Sequence, residues 1–408
     1  MFRIEPRMAW GGGKRAVKLV ILYLEFNVDK VNQLYVYIAP TRRIVGTNMN
    51  PLTATSNRSD IRLLVGFTFL ALAYFYVHDP VTLSAFEWVP SEEEIQKYRQ
   101  SWNPLSEGPL LIQAVDIHPE GQLSVRPFIY GQVAEHSYGN RFSLPTERKP
   151  GPVHLYSVSP LVTIAYGLTN HVEIGTALSM SSFWARDSQS FNQGKGGPMT
   201  TNTGFGDVSL FVKYRPIIQD PDTSRPSVTL YSQIILPSSR WTGTERPPGG
   251  FAPIGRLPST RFGELGFTEG LTFRKNFRPF RISGGVFYTY AAPGSEGATT
   301  TYTGDIVNTR FVFEHFLDDK KSLAYNLEFV GLHTLTWRAD GHAINRGQRS
   351  GSTTLGIEPV IQWRFGDSNF VGAAGVLFTV AGQNALDAIY PNFSIQWYWR
   401  KTGKVIMR

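Results

Sequence analysis

The chain contains no cysteine among its 408 residues. That removes a disulfide framework, a thiolate metal site, a cysteine nucleophile and a lipoprotein anchor. Charge is scarce too: Asp, Glu, Lys and Arg make up 18% of the chain, against about 25% in soluble domains. The net charge of +8 sits largely in the first 85 residues, and the remainder carries only +3. No basic stretch is interleaved with aromatics, which sets nucleic acid aside as a partner. Long apolar runs are missing as well. Leu19–Leu24 is cut by Glu25, and Leu63–Val77 is short for a spanning helix. None of the eight histidines pairs with another at helical ligand spacing, so no metal and no other cofactor is expected. What is present is 13% aromatics, 39 glycines and 42% hydrophobic residues. With so few charges, that combination suits a transmembrane β-barrel; a soluble all-β protein is the alternative that composition leaves open.

The N-terminal part reads as leader. Met49 is the expected start, with residues 1–48 an upstream extension. Arg58 and Arg62 stand before the apolar core Leu63–Val77, the form of a secretory signal, and cleavage after Ala85 makes residues 49–85 the signal peptide. Ser91 and Glu94 have capping-box spacing. They predict a short helix to about Gln100, ended by Pro104 and Gly108, within a periplasmic lead-in of residues 86–122.

From Leu123 onward the pattern changes to period two. In Ser157–Met180, Val158, Val162, Ile164 and Tyr166 share one face, and Val172, Ile174, Leu178 and Met180 do so after a break. Strict alternation means strands with one apolar and one wet face. Gly167 and Asn170 in the break are expected to supply the positive-φ positions of a short hairpin. About twelve such strands fill residues 123–400, followed by a tail of residues 401–408. Connections alternate long and short. The long ones lie near 136–152, 184–204, 237–261, 291–303 and 338–351, with a shorter one near 381–387. Short turns on one side, long loops on the other and an even strand count predict an all-β fold: an antiparallel transmembrane β-barrel of about 12 strands with a short N-terminal helical lead-in.

The polar face then points into the lumen. The inward candidates are Arg126, Tyr130, Gln132, Lys213, Arg310, Glu314, Glu328, Glu358 and Arg364. Arg310, Glu328 and Glu358 fall on three successive strands near mid-height. They form either a charge-selective constriction or an ion-pair network that plugs a narrow barrel; a folded-in outer loop is another way to close it. Glu269 is the awkward residue, because it shares the outward face with Phe267 and Leu271. A bulge that shifts the register would turn it inward.

Two motifs resemble a known family. Pro160–Gly175 contains the Tyr166-Gly167-Leu168-Thr169 hairpin, and Gly204–Arg215 contains a Gly-Asp strand start running into Lys213-Tyr214. Together they resemble the outer-membrane family named for the MetA pathway of phenol degradation, over about Gly121 to Arg400. The chain departs from the usual barrel ending on an aromatic residue, since Arg400 to Arg408 follow Trp399. The resemblance implies a monomeric barrel in the outer membrane of a Gram-negative bacterium. Its partners would be outer-membrane lipids, small-molecule solutes and the assembly machinery. It implies passage of small, aromatic or hydrophobic, solutes and no enzyme activity. Two alternatives stand beside it. A barrel hydrolase needs a Ser–His pair on one face, but His154 and Ser157 have an odd offset and His136 and Ser137 are adjacent. A closed structural or adhesive barrel would act through its outer loops.

Overall fold

The computed structural model describes residues 89–106, 108, 110, 116–139, 141–144, 154–186, 199–237, 265–296, 299–302, 304–335, 338–339, 342–343 and 351–400. The upstream extension, the signal peptide and the C-terminal tail lie outside the described residues.

Twelve strands close into one barrel. They are β1 (Gln122–Ser137), β2 (His154–Gly167), β3 (Val172–Arg186), β4 (Met199–Ile217), β5 (Ser227–Leu236), β6 (Gly266–Phe277), β7 (Phe280–Ala291), β8 (Ile306–Asp318), β9 (Leu323–Thr334), β10 (Ser352–Arg364), β11 (Phe370–Gln383) and β12 (Leu386–Arg400). Each pairs antiparallel with its neighbours in sequence, and β1 pairs with β12 to complete the ring. Closure removes every free edge, which an apolar solvent requires because it offers backbone groups no partner. Four short pieces from the β7–β8 and β9–β10 connections form a separate small sheet at the long-loop end. No helix among the described residues is long and apolar enough to cross a membrane.

The alternation sorts side chains as the period predicts. On β12, Ile389, Phe393 and Trp399 are exposed, whereas Asn392, Ser394, Gln396 and Tyr398 are buried. On β9, Tyr325 and Phe329 are exposed while Asn326 and Glu328 are buried. The barrel is therefore apolar outside and polar inside, the reverse of a soluble protein. Aromatic rings on the outer surface cluster at the short-turn end. Phe280 packs on Phe313 and His315, with ring centroids 5.1 and 4.6 Å apart, and Tyr325 meets His315 at 5.2 Å. Phe370 stacks on Trp397. Such a belt is the girdle expected where hydrocarbon meets headgroups.

Three local expectations need correction. Gly167 and Asn170 are absent from the positive-φ positions. The β2–β3 turn is instead closed by Thr169, whose hydroxyl accepts from the amides of His171 and Val172 at 3.3 and 3.0 Å. Glycine stands at 167 because a Cβ there would lie 2.2 Å from the Pro119 carbonyl oxygen and 2.4 Å from that of His118. Backbone crossing backbone leaves no room for a side chain. The Gly204–Asp207 motif does not begin a strand. It lies inside β4, where the pairing with β3 shifts register between Leu178–Met180 and Val208–Phe205, so the motif marks a β-bulge. No bulge rescues Glu269: both ladders of β6 run without a shift. The carboxylate stays exposed on the outer face and accepts from the Ser232 hydroxyl directly opposite at 2.6 Å. It lies three residues from the long-loop end of β6, beside Tyr288, so it belongs to the interfacial zone. Glu269→Leu is therefore expected to change barrel stability in a urea titration by less than about 1 kcal/mol. A stabilisation of several kcal/mol would place Glu269 in hydrocarbon instead.

The sequence predicts loops where the structure tightens one of them. The β11–β12 connection is only Asn384 and Ala385, with Asn384 at φ 48°. Asparagine tolerates that left-handed conformation better than most residues.

Candidate functional site

The lead-in does not stay outside the barrel. Helix α1 (Glu92–Gln100) forms where the capping box places it: the Ser91 hydroxyl accepts from the Glu94 amide, and the Glu94 carboxylate accepts from the Ser91 amide. It ends at Gln100, as the sequence predicts, with Ser101 as its C-cap. Beyond it, the chain bonds inward-facing residues on nine of the twelve strands. Only a segment inside the ring can do that.

The contacts run from the short-turn end to mid-height. Asn103 Oδ1 accepts from Arg274 at 2.7 Å and from Arg281 at 3.1 Å, and the Pro104 carbonyl accepts from Arg281 at 3.2 Å. The Ser106 hydroxyl lies 3.2 Å from both Glu314 Oε1 and Gln362 Oε1, and its carbonyl accepts from the Tyr398 hydroxyl at 2.7 Å. Leu105 packs with Val371 and Tyr398. The Leu110 amide donates to Glu328 Oε1 at 2.7 Å, and its carbonyl accepts from Tyr130 at 3.4 Å. Returning toward β1, Asp116 is fully buried and holds Arg274 and Arg215, with the Tyr98 hydroxyl donating to it at 2.9 Å. His118 ends the excursion: its amide donates to Glu173 at 2.8 Å and its ring Nδ1 meets the same carboxylate. Burial alone would raise the Asp116 pKa, but the Arg274 and Arg215 guanidiniums outweigh it and hold the carboxyl below its ordinary value. Burial, reinforced by Asp116, pushes the Tyr98 phenol up to about 12.

Helix α1 stays at the mouth and latches to the β4–β5 turn. Ile95 and Tyr98 pack on Ile218. Arg225 reaches Glu94 at 2.7 Å, and Lys97 reaches Asp220 at 2.6 Å and Asp222 at 2.8 Å. Partial burial raises Glu94, but the Ser91 amide and Arg225 bring it below its ordinary 4.5. Hydrogen bonding to Lys97 lowers Asp220 from 3.8, and hydrogen bonding to Asp220 raises Lys97 above 10.5. The depressed carboxylates stabilise docking above their ordinary values, and that contribution is lost as pH falls through their lowered ones. The raised lysine contributes below 10.5, a contribution lost as pH rises through its higher value. The protection factor over Glu92–Gln100 is therefore expected to be flat from about pH 5 to 10, lower below about pH 4, and lower in high salt because the pairs are exposed. A protection factor that falls between pH 6 and 8 would assign the latch to other groups.

The nine sequence-predicted residues lie at inward-parity positions of their strands, but they do not form one ring. Arg310, Glu328 and Glu358 do come together on β8, β9 and β10; Glu328 stands directly opposite Glu358. Asn392 donates to Glu358 at 2.7 Å and pairs in register with Tyr130, which extends the group to β1. Arg126 lies near it, its guanidinium 4.1 Å above the Phe128 ring. Lys213 and Glu314 sit lower. Lys213 pairs with Glu173 at 2.9 Å, and Glu314 receives the Gln362 amide at 3.2 Å. Gln132 lies higher, where its Oε1 accepts from the Ser157 hydroxyl at 3.2 Å. Arg364 does not join the others. It turns back to the β10–β11 turn and donates to the Ser368 and Asp367 carbonyls at 2.6 and 2.9 Å.

The described residues of the N-terminal segment occupy the lumen from the short-turn end to mid-height. The sequence predicts ion pairs or a folded-in outer loop there, with the lead-in on the periplasmic side. The residues missed are Asp116 and His118 of this segment and Glu173, Arg215, Arg274 and Arg281, which grip it. A usable signal was there, because Arg274 is inward by parity and faces only Ser227 and Ser283 on the neighbouring strands, whereas Arg281 has Glu314 in register on β8, 3.7 Å away. The opposite wall carries one apolar patch among its polar residues. Phe211, Tyr231 and Phe287 form a buried aromatic run with Ala165 and Val312. Gly270 makes room for it: a Cβ there would lie 2.4 Å from the Phe287 ring. The Ser157 hydroxyl is engaged by Gln132, and the His154 side chain lies outside the described residues.

No family model matches the chain. No curated protein matches it. The barrel shares its fold with a solved channel. That structure is an outer-membrane channel from Pseudomonas putida F1, 10% identical, with a TM-score of 0.54 over 71% of this chain and 100% of that one. The transport unit of the autotransporter AIDA-I from Escherichia coli is 9% identical over 76% of this chain and 99% of that one, at a TM-score of 0.39. The toluene transporter TodX from P. putida is 8% identical over 69% and 90%, at 0.30. The last two scores lie below 0.5, and neither likeness bears on what this chain does.

Proposed function

We propose that this protein is an outer-membrane channel of a Gram-negative bacterium that passes small apolar or aromatic solutes and is closed at rest by its own lead-in segment. The observation that carries the reading is the nature of the closure. The barrel wall is complete without the segment, since every strand pairs with two others. The described residues of the segment belong to no strand and are held by side chains, so the segment can leave without breaking the wall. An apolar exterior with an aromatic girdle supports a membrane setting, and the fold shared with a solved outer-membrane channel agrees with it. The aromatic wall of Phe211, Tyr231 and Phe287 supports solutes that tolerate little water. On this reading the short turns and α1 face the periplasm, and the two sequence motifs that resemble the MetA-pathway family agree with it.

The lumen needs only binding and release, so the inward residues act as a lining and not as catalysts. Arg310, Glu328 and Glu358 set the polarity of the narrowest part once the segment has moved. The occupied lumen also favours a second reading, a barrel that acts through its outer loops. Single-channel recording of the refolded protein in planar bilayers separates the two. Long closures broken by discrete openings are expected, with step size altered in Arg310→Ala and Glu328→Ala. A barrel that inserts but stays silent in every variant would leave the loop reading.

A further inference from the structure

Leu110 is held the way a ligand is held. Its side chain is buried among Phe128, Val360 and Ala373, with Tyr130 and Leu161 packed against the group. Phe128 and Tyr130 lie parallel, 5.6 Å apart, and form a flat side to the seat. Its amide is taken by the Glu328 carboxylate and its carbonyl by the Tyr130 hydroxyl. Neither peptide group pairs with a strand. The seat is made of residues fixed on β1, β2, β9, β10 and β11, whereas its occupant belongs to the lead-in. The two polar contacts converge at the head of an apolar seat about the size of a branched side chain or a single ring.

We infer that the Leu110 seat is a solute-binding subsite, filled in this form by the chain's own leucine, and that it takes small apolar molecules bearing one hydroxyl. A hydroxyl supplies both functions of the displaced peptide: it donates to Glu328 and accepts from Tyr130. A hydrocarbon of the same shape fills the apolar part but leaves a buried carboxylate without the donor it had, which weakens binding. A carboxylate-bearing solute meets Glu328 with Glu358 directly behind it and is disfavoured by like charge. The inference deepens the transport reading and rests on it for the purpose of binding. The binding itself is measurable without transport.

The test uses the full chain with two probes, 4-fluorophenol and fluorobenzene, followed by fluorine NMR. In Leu110→Gly the side chain that fills the apolar seat is gone, and the peptide it anchored is easier to displace. Saturable binding of 4-fluorophenol is expected, at least about tenfold tighter than to the wild type, with fluorobenzene at least about tenfold weaker. Adding Tyr130→Phe should weaken 4-fluorophenol and leave fluorobenzene unchanged. A second measurement does not depend on altering Leu110. Because the chain has no cysteine, Ser106→Cys carries the only thiol, and bound 4-fluorophenol should raise its alkylation rate several-fold where fluorobenzene does not. Equal affinity for the two probes, or no saturable binding by a folded barrel, overturns the subsite. If folded Leu110→Gly binds neither probe yet conducts ions in bilayers, the inference falls and the transport reading stands. If it binds 4-fluorophenol while no variant conducts, the subsite stands and the transport reading falls.

Discussion

Asp116→Asn is expected to empty the lumen of its own chain. Asp116 is fully buried, and both of its oxygens are engaged: one by Arg215, the other by Arg274 and Tyr98. The substitution preserves volume and removes the charge. It leaves two guanidiniums buried without a counter-ion, and breaking a buried pair in this way costs about 3–5 kcal/mol. A soluble core would have to bear that cost. Here the molecule has an alternative, because the segment can withdraw and water can solvate Arg215 and Arg274. The docking equilibrium should therefore shift toward release on the order of a thousandfold, while strand pairing is preserved. Loss of exchange protection over Asn103–His118, together with frequent openings in bilayers, is the expected result. A variant that stays protected and silent would show that Asp116 is not what holds the segment. Acid should imitate the substitution: the carboxyl is depressed below 3.8, so its contribution is complete above that value and lost as pH falls through the lowered one.

Phe329→Arg is expected to damage the barrel far more than Tyr325→Arg. Both side chains are exposed on the outer face of β9, but Phe329 lies mid-strand, between Phe311 and Ile357, and Tyr325 lies two residues from the short-turn end. A cation at the bilayer midplane costs about 2–4 kcal/mol, falling to about 0–1 near the interface. Urea titration of the two variants refolded into phospholipid vesicles measures the difference. Equal, small losses would mean that the outer face of β9 meets water.

How much of this was legible depended on the range of the interaction. All twelve strands follow from period-two alternation because each residue's face is decided by its own neighbours. The inward parity of residues as distant as Arg126 and Glu358 was readable for the same reason. The capping box at Ser91 and Glu94 is equally local. The occupant of the lumen was not readable. Asn103 to His118 has no period, and its partners lie far along the chain: Ser106 meets Gln362, and Leu110 meets Glu328. The role of Gly167 was hidden likewise, since the turn itself needs no glycine there and the constraint comes from Pro119 crossing it. Glu269 misled because parity showed its direction but not its height in the membrane.

The segment inside the barrel is fastened at both ends. Helix α1 is latched to the β4–β5 turn, and His118 is clamped to Glu173 where the chain crosses Gly167. It is a strap and not a tail, so it never dilutes. Tethering of this kind holds a group at an effective concentration in the millimolar range, whatever the amount of protein in the membrane. Any solute that displaces the strap competes against that fixed local concentration. The threshold for opening is then written into the length of chain between α1 and β1, and lengthening that stretch would lower it without touching a single lumen residue.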